Sequence, residues 1–242
     1  MENNKITTEQ LWTRQYLQLL ILNSSTFLIH FILLVSMPLY VRTMGGTNTQ
    51  IGLSTGVYSL SALIFRPLIG SLLDTRGRKP ILIAGLIPWL IGVVLLNFTE
   101  SVPLQLIIRV IQGIGFSVAS TACTTIATDL VPKSRLAEGI GYFGVTVTVT
   151  NAIGPLIGLF FIDNLSYALL FKAVIPLTVL SMILSLFLKN DSITEKTTKK
   201  SFSLKGFITL EKTAIPASSM MAFASLSYGS IITFLASFGY SR

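Results

Sequence analysis

Apolar residues fall into seven long blocks separated by short charged clusters: Tyr16 to Tyr40, Thr49 to Leu72, Ile81 to Phe98, Leu104 to Thr128, Gly139 to Ile162, Ser166 to Leu188 and Thr213 to Tyr240. Each is long enough to cross about 30 Å of hydrocarbon as a helix rising about 1.5 Å per residue. The short alternating segments of a membrane barrel are missing. Inside a bilayer every backbone group must be bonded internally, so the pattern predicts transmembrane helices.

Composition agrees with the pattern. Charged residues make up 12% of the chain and apolar ones 51%, too little polar side chain to cover a water-soluble globule. The first apolar run continues well beyond the roughly 7 to 15 residues of a signal-peptide core, so it is expected to stay in the membrane as a helix. Cys123 is the single cysteine, lies within an apolar block and reads as a small packing residue. No His/Cys cluster has metal-ligand spacing, and no nucleophile, base and orienting acid converge, so neither a metal site nor an enzyme is predicted.

Charge sets the orientation. Alternating the seven spans gathers Lys5, Arg14, Arg76, Arg78, Lys79, Lys133, Arg135, Lys189, Lys196, Lys199, Lys200, Lys205 and Lys212 on one side, with Arg42 and Arg242 opposite. The positive-inside rule then places the N-terminus in the cytoplasm of a multi-pass cell-membrane protein. The formal charge of +8 resides in loops beside membrane spans, which argues against nucleic acid as a partner and for the lipid bilayer. The expected organisation is a cytoplasmic segment over residues 1–15, a six-helix bundle over 16–188, a cytoplasmic linker over 189–212 and a seventh helix over 213–242.

One cluster does not follow from topology alone. In GSLLDTRGRKP, Gly70 to Pro80, Gly77 suits a turn with positive φ and Pro80 suits a helix start. Asp74 opposes the negative end of its helix dipole, so Arg78 or a neighbouring helix N-terminus is expected to hold it. Gly70, Leu72, Asp74, Arg76, Gly77, Arg78 and Lys79 resemble the signature loop of the major facilitator superfamily, Gly-x-Leu-x-Asp-Arg-x-Gly-Arg-Arg, with Thr75 where the first arginine often stands. Two further motifs resemble the same family in the same order. Arg109, Gln112, Gly113 and Gly115 in the fourth span are similar to Arg-x-x-Gln-Gly-x-Gly. Gly154, Pro155 and Gly158 in the fifth are similar to the Gly-Pro-x-x-Gly core of antiporters, although Thr150 and Leu159 stand where that motif usually has glycine.

The resemblance implies an all-α membrane protein: the six-helix N-terminal bundle of a major facilitator fold plus a seventh transmembrane helix. It further implies a secondary transporter working by alternating access, with a six-helix second half as the partner for this chain. Proton-coupled export of small amphipathic compounds is the reading favoured by the fifth-span motif. Proton-coupled nutrient uptake and an inactive inserted fragment are the alternatives, and a seven-helix receptor is disfavoured by the signature loop. The energy source would be the proton gradient, with no cofactor. By the same resemblance Gly70, Asp74, Arg76, Gly77, Arg78, Lys79 and Asp129 form a cytoplasmic latch, a base of the turn pairing with Asp129 and Asp74 capping a helix of the other half. Arg109 takes part in proton coupling beside the substrate cavity.

The residues themselves leave several choices open. Arg109 either snorkels to the outer interface or looks from a polar stripe with Gln112 and Phe116. Lys172 has the same choice. His30, the single histidine, falls near the midplane on one helical face with Asn23, Thr26 and Met37. It is either the titrating group, given an ordinary histidine pKa of about 6.5, or a neutral hydrogen-bonded packing residue. Gly52, Gly56, Gly141, Gly144, Gly154 and Gly158 have the spacing of close helix contacts.

Overall fold

The computed structural model describes residues 10–189 together with 219, 220 and 223. Six long helices account for most of the first stretch: α1 (Arg14–Thr43), α2 (Asn48–Arg76), α3 (Arg78–Leu95), α4 (Val102–Leu130), α5 (Leu136–Asn164) and α6 (Tyr167–Phe187). Short 3-10 turns, Leu96–Phe98 and Lys133–Arg135, follow α3 and precede α5. All six are long and apolar enough to cross a membrane. The chain divides into two compact units, Met1–Ser201 and Phe202–Arg242. In the second unit Ser219, Met220 and Phe223 are helical, and the rest of the expected linker and seventh helix lies outside the described residues.

Most of the helices overrun the apolar blocks, because their ends are set by caps and by charges of the interfacial zone rather than by hydropathy. Thr13 accepts a bond from the Tyr16 amide at the start of α1, and Ser166 does the same for Leu169 at the start of α6. Thr47 and Gln50 make a reciprocal capping box that starts α2. Arg42 and Arg76 occupy last turns, where a cation complements the helix dipole. Gly77 has φ +89°, a backbone that side-chain-bearing residues rarely adopt, and serves at once as the C-cap of α2 and the N-cap of α3. Pro80 follows within the first turn of α3, where a missing N–H costs nothing.

Within the bundle α4 packs on α2 and α3, α1 packs on α5 and α6, and α3 packs on α6. The core runs through Leu33, Met37, Leu86, Trp89, Phe116 and Ala119, with Trp89 and Phe116 ring to ring at 5.6 Å. Gly115 makes the α3–α4 crossing possible, since a Cβ there would run into the backbone of Trp89. Hydroxyls along the helices turn back onto carbonyls one turn earlier, as Thr26 does to Leu22 and Thr178 to Val174. This satisfies them without water. Outward-facing Leu53, Leu60, Leu156 and Phe160 form the kind of apolar surface a bilayer covers.

Two helices keep an open face. A Cβ at Gly52 and Gly56 of α2, or at Gly141 and Gly144 of α5, would meet nothing. The expectation of close helix contact at these four positions is therefore corrected among the described residues: α2 and α5 flank the bundle, and these faces have no neighbour in it. Gly154 and Gly158 do make close contacts, the first against Phe31 and Ile32 of α1, the second against Ser36 and Ile32.

Candidate functional site

Arg109 settles first, because its position in α4 leaves a guanidinium little choice. It enters α4 about two turns from the Val102 end and is 1% exposed. Nε donates to the Ser54 carbonyl of α2 at 3.1 Å, Nη1 donates to Gln112 Oε1 at 3.1 Å, and the guanidinium carbon lies 4.1 Å from the centroid of the Tyr58 ring. The snorkelling alternative is thereby corrected: a fork with two acceptors and an aromatic face gains more inside than at the interface. The residue does not open onto a cavity either. Around it Ser54 Oγ, Gln105 Oε1, Arg109 Nη2 and Gln112 Nε2 are buried polar atoms without a partner among the described residues.

His30 joins this arrangement from α1. Its Nδ1 is hydrogen-bonded to the Tyr58 hydroxyl at 2.6 Å, with the tautomer deciding which group donates. Its ring stacks on Phe116 at 4.2 Å between centroids and touches Phe31 at 4.8 Å. Tyr58 is the hinge of the group, hydrogen-bonded to His30 at its hydroxyl and covered by Arg109 at its ring. The result is a chain of contacts from α1 through α2 to α4 in the middle of the bundle. Lys172, in contrast, is exposed on α6.

The face of α1 that gathers His30, Asn23, Thr26 and Met37 on paper does not act as one site. Asn23 Nδ2 donates to Thr146 Oγ1 of α5 at 2.8 Å, and Thr26 meets Ser181 of α6 at 3.4 Å. Met37 Sδ accepts from Gln105 Nε2 of α4 at 3.4 Å. Since α1 is the central helix, successive turns of one face meet different neighbours. Asn23 therefore belongs to the α1–α5 contact and not to the His30 group.

The end of the bundle with the basic turns holds a second polar group. Arg78 Nε donates to Asp129 Oδ2 at 2.8 Å, linking the start of α3 to the last turn of α4. Lys79 Nζ donates to the Leu186 carbonyl at 2.6 Å, tying the same turn to the end of α6. Arg78, one of the two candidates for holding Asp74, is thus engaged by Asp129, the acid that the family resemblance pairs with a base of this turn. Asp74 and Arg76 are exposed, and neither has an ion pair among the described residues. Gly70 is exposed as well, with open space where a side chain would stand. In α5, Pro155 lies between the two contact glycines and removes one helical hydrogen bond.

Sequence reasoning passes over two residues that matter here. Tyr58 gave a signal, a hydroxyl-bearing ring in the middle of an apolar block. Arg66 gave a stronger one, as a charge inside the Thr49 to Leu72 block. It sits about two turns past Tyr58 on α2 and is exposed.

Comparison with known proteins agrees with this architecture. The family model described as Major Facilitator Superfamily matches residues 19–242. An uncharacterized MFS-type transporter of Methanocaldococcus jannaschii is 29% identical over 72% of this chain and 45% of its own length. The staphylopine export protein of Staphylococcus aureus is 32% identical over 62% of the chain and 38% of its own. The quinolone resistance protein NorA of the same species is 27% identical over 93% of the chain and 56% of its own. The chain thus spans about half the length, or less, of these curated relatives. With six apolar helices, the signature turn between α2 and α3 and a family match across nearly its whole length, this multi-pass membrane protein belongs to the Major Facilitator Superfamily, whose members are transporters rather than enzymes.

Proposed function

We propose that this chain is part of a proton-coupled exporter of small amphipathic compounds that works by alternating access. The observation that carries the reading is the group His30, Tyr58, Arg109 and Phe116 in the middle of the bundle, polar and aromatic at a depth where lipid tolerates neither charge nor unpaired hydrogen bonds. Relatives named for quinolone resistance and for staphylopine export support outward movement as the direction. The N-terminus is taken to be cytoplasmic from the distribution of Lys and Arg.

Two devices divide the work. The Arg78–Asp129 pair, with Lys79 on the Leu186 carbonyl, keeps α3, α4 and α6 together at one end. Asp74, unengaged within the bundle, is left to reach a helix of a second six-helix half. Such surface contacts are worth ~1 kcal/mol, enough to bias two conformers of similar energy without locking either. At the other device, protonation of His30 sets a second cation beside Arg109 across one tyrosine. The repulsion favours whichever conformer separates them, which couples proton uptake to the bundle's movement. Protons and a small-molecule substrate are the mobile partners, and no cofactor is invoked.

Reconstitution tests this directly. Flux driven by an imposed proton gradient is measured in proteoliposomes containing this chain alone and in others that also contain a polypeptide supplying the remaining helices. Flux only in the second set is the expected result; robust flux from the chain alone would remove the need for a second half. His30→Ala is expected to abolish proton-linked flux more than substrate binding, and equal loss of both would reduce His30 to packing. Single cysteines at Thr47 and Ser192 in a Cys123→Ser background should label from opposite sides, and Ser192 reacting from outside would reverse the orientation.

A further inference from the structure

The basic end of the bundle carries more positive charge than its own contacts use. A notch there lies between four helix ends: the start of α1, the start of α3, the end of α4 and the chain just past α6. Arg78, Lys79 and Lys189 line it, together with the side-chain amide of Gln15. Arg78 is bound to Asp129 through Nε, and both of its Nη groups are without a protein partner among the described residues. Lys79 gives one N–H to the Leu186 carbonyl at 2.6 Å, which leaves two. Lys189 is exposed and makes neither a hydrogen bond nor an ion pair among the described residues.

The start of α3 adds to this excess. Arg78 and Lys79 are its first two residues, no side chain caps it at Gly77, and its first turn holds no acid. Two cations therefore stand at the positive end of a helix dipole, where Asp or Glu is the stabilising choice. Asp129 answers one of them. The other, with Lys189 beside it in the notch, calls for an anion from outside the bundle.

The apolar part of the notch narrows the choice of anion. Ile126, Leu130 and Leu188 line it next to the three cations. Phe187, adjacent to Leu188 in the chain, and Ile183, one turn earlier on α6, are 68% and 45% exposed, an outward surface suited to acyl chains. We infer that the notch holds the phosphate of an anionic phospholipid, its oxygens on Arg78, Lys79 and Lys189 and its chains along the outer face of α6. A zwitterionic headgroup fits less well, because its ammonium would need the carboxylate that Arg78 already holds. The site belongs to the folded bundle and does not depend on transport.

Native mass spectrometry of the full chain, released from a neutral detergent, tests this with three probes that share a phosphate. Dioleoyl phosphatidylglycerol has a net negative charge and chains, dioleoyl phosphatidylcholine has chains without net charge, and glycerol 3-phosphate has charge without chains. One phosphatidylglycerol is expected to bind about ten-fold or more tightly than phosphatidylcholine, and excess glycerol 3-phosphate should not displace it. Lys79→Gln combined with Lys189→Gln should bring the two lipids within about two-fold. Should the double variant unfold early through loss of the Leu186 bond, Lys189→Gln alone decides: its side chain holds nothing in the bundle, so thermal unfolding should match the parent while the preference falls about three-fold. Lys133→Gln removes an exposed base from the turn after α4, outside the notch, and should keep the parent's preference. Equal binding of the two lipids, or an unchanged preference in Lys189→Gln, would overturn the inference. So would an equal loss in Lys133→Gln, which would mean diffuse surface charge, or displacement by glycerol 3-phosphate, which would mean a site for a soluble phosphate compound.

Discussion

The α2–α4 contact and the α1–α5 contact solve the same problem, holding two helices together where lipid supplies no hydrophobic drive, by different chemistry. In the first, α4 donates into the α2 backbone: Arg109 to the Ser54 carbonyl and Ser117 to the Ala62 carbonyl at 2.7 Å, with Gly113 pressed against the Tyr58 carbonyl. In the second, the glycines Gly154 and Gly158 lie against α1, joined by the Tyr16 hydroxyl on the Gly139 carbonyl and the Asn23–Thr146 bond. Interior prolines sharpen the difference. Pro38 and Pro155 interrupt both helices of the second pair, whereas in the first Pro67 interrupts α2 but the proline of α4 stands in its first turn and leaves that helix continuous. A charged fork on a continuous helix makes a rigid reference; small residues on two interrupted helices make a seam that can bend.

The largest effect is expected where the fork is removed. Arg109→Ala should lower gradient-driven flux by about 100-fold, near 2.7 kcal/mol in barrier, and Arg109→Lys should fail almost as badly because an ammonium cannot serve Ser54, Gln112 and Tyr58 together. Flux per folded molecule is the measurement, and full activity in the lysine variant would show that charge alone suffices. Next comes crowding of the two seams. Gly113→Val and Gly154→Val should each cost about 1–3 kcal/mol by overpacking, the first more, since its new Cβ overlaps a fixed carbonyl and the second meets a seam built to yield. Equal shifts in the thermal midpoint would erase the distinction between rigid and bending contacts.

Smaller effects probe the polar links. A double-mutant cycle of Asn23→Ala with Thr146→Val should give a coupling of about 1 kcal/mol, that of one partly buried neutral hydrogen bond. A value near zero would leave α1–α5 held by its glycines alone. Smallest is Asp129→Asn, which should destabilise the bundle by under ~1 kcal/mol and lose that effect in concentrated salt, as a half-exposed ion pair does. Asp74→Asn, lacking a partner within the bundle, should leave unfolding unchanged while impairing flux, and normal flux would withdraw it from the latch.

Hydropathy and charge spacing were enough to place six helices, to order them, and to mark the turn at Gly77, because span length and positive φ are local matters that a chain writes in its own composition. They also singled out His30 and Arg109, since a titratable group in an apolar block stands out without any neighbour being known. What those groups touch was decided only by the packed bundle. Periodicity puts Asn23 and His30 on one face, but a central helix meets α5 at one turn and α2 at another, and no local pattern encodes which. For Arg78 the local spacing offers Asp74 and the family resemblance offers Asp129 to a base of the turn, and the packed bundle joins it to Asp129 of α4. A side chain's depth can be counted along one helix; its partner depends on the crossing of two.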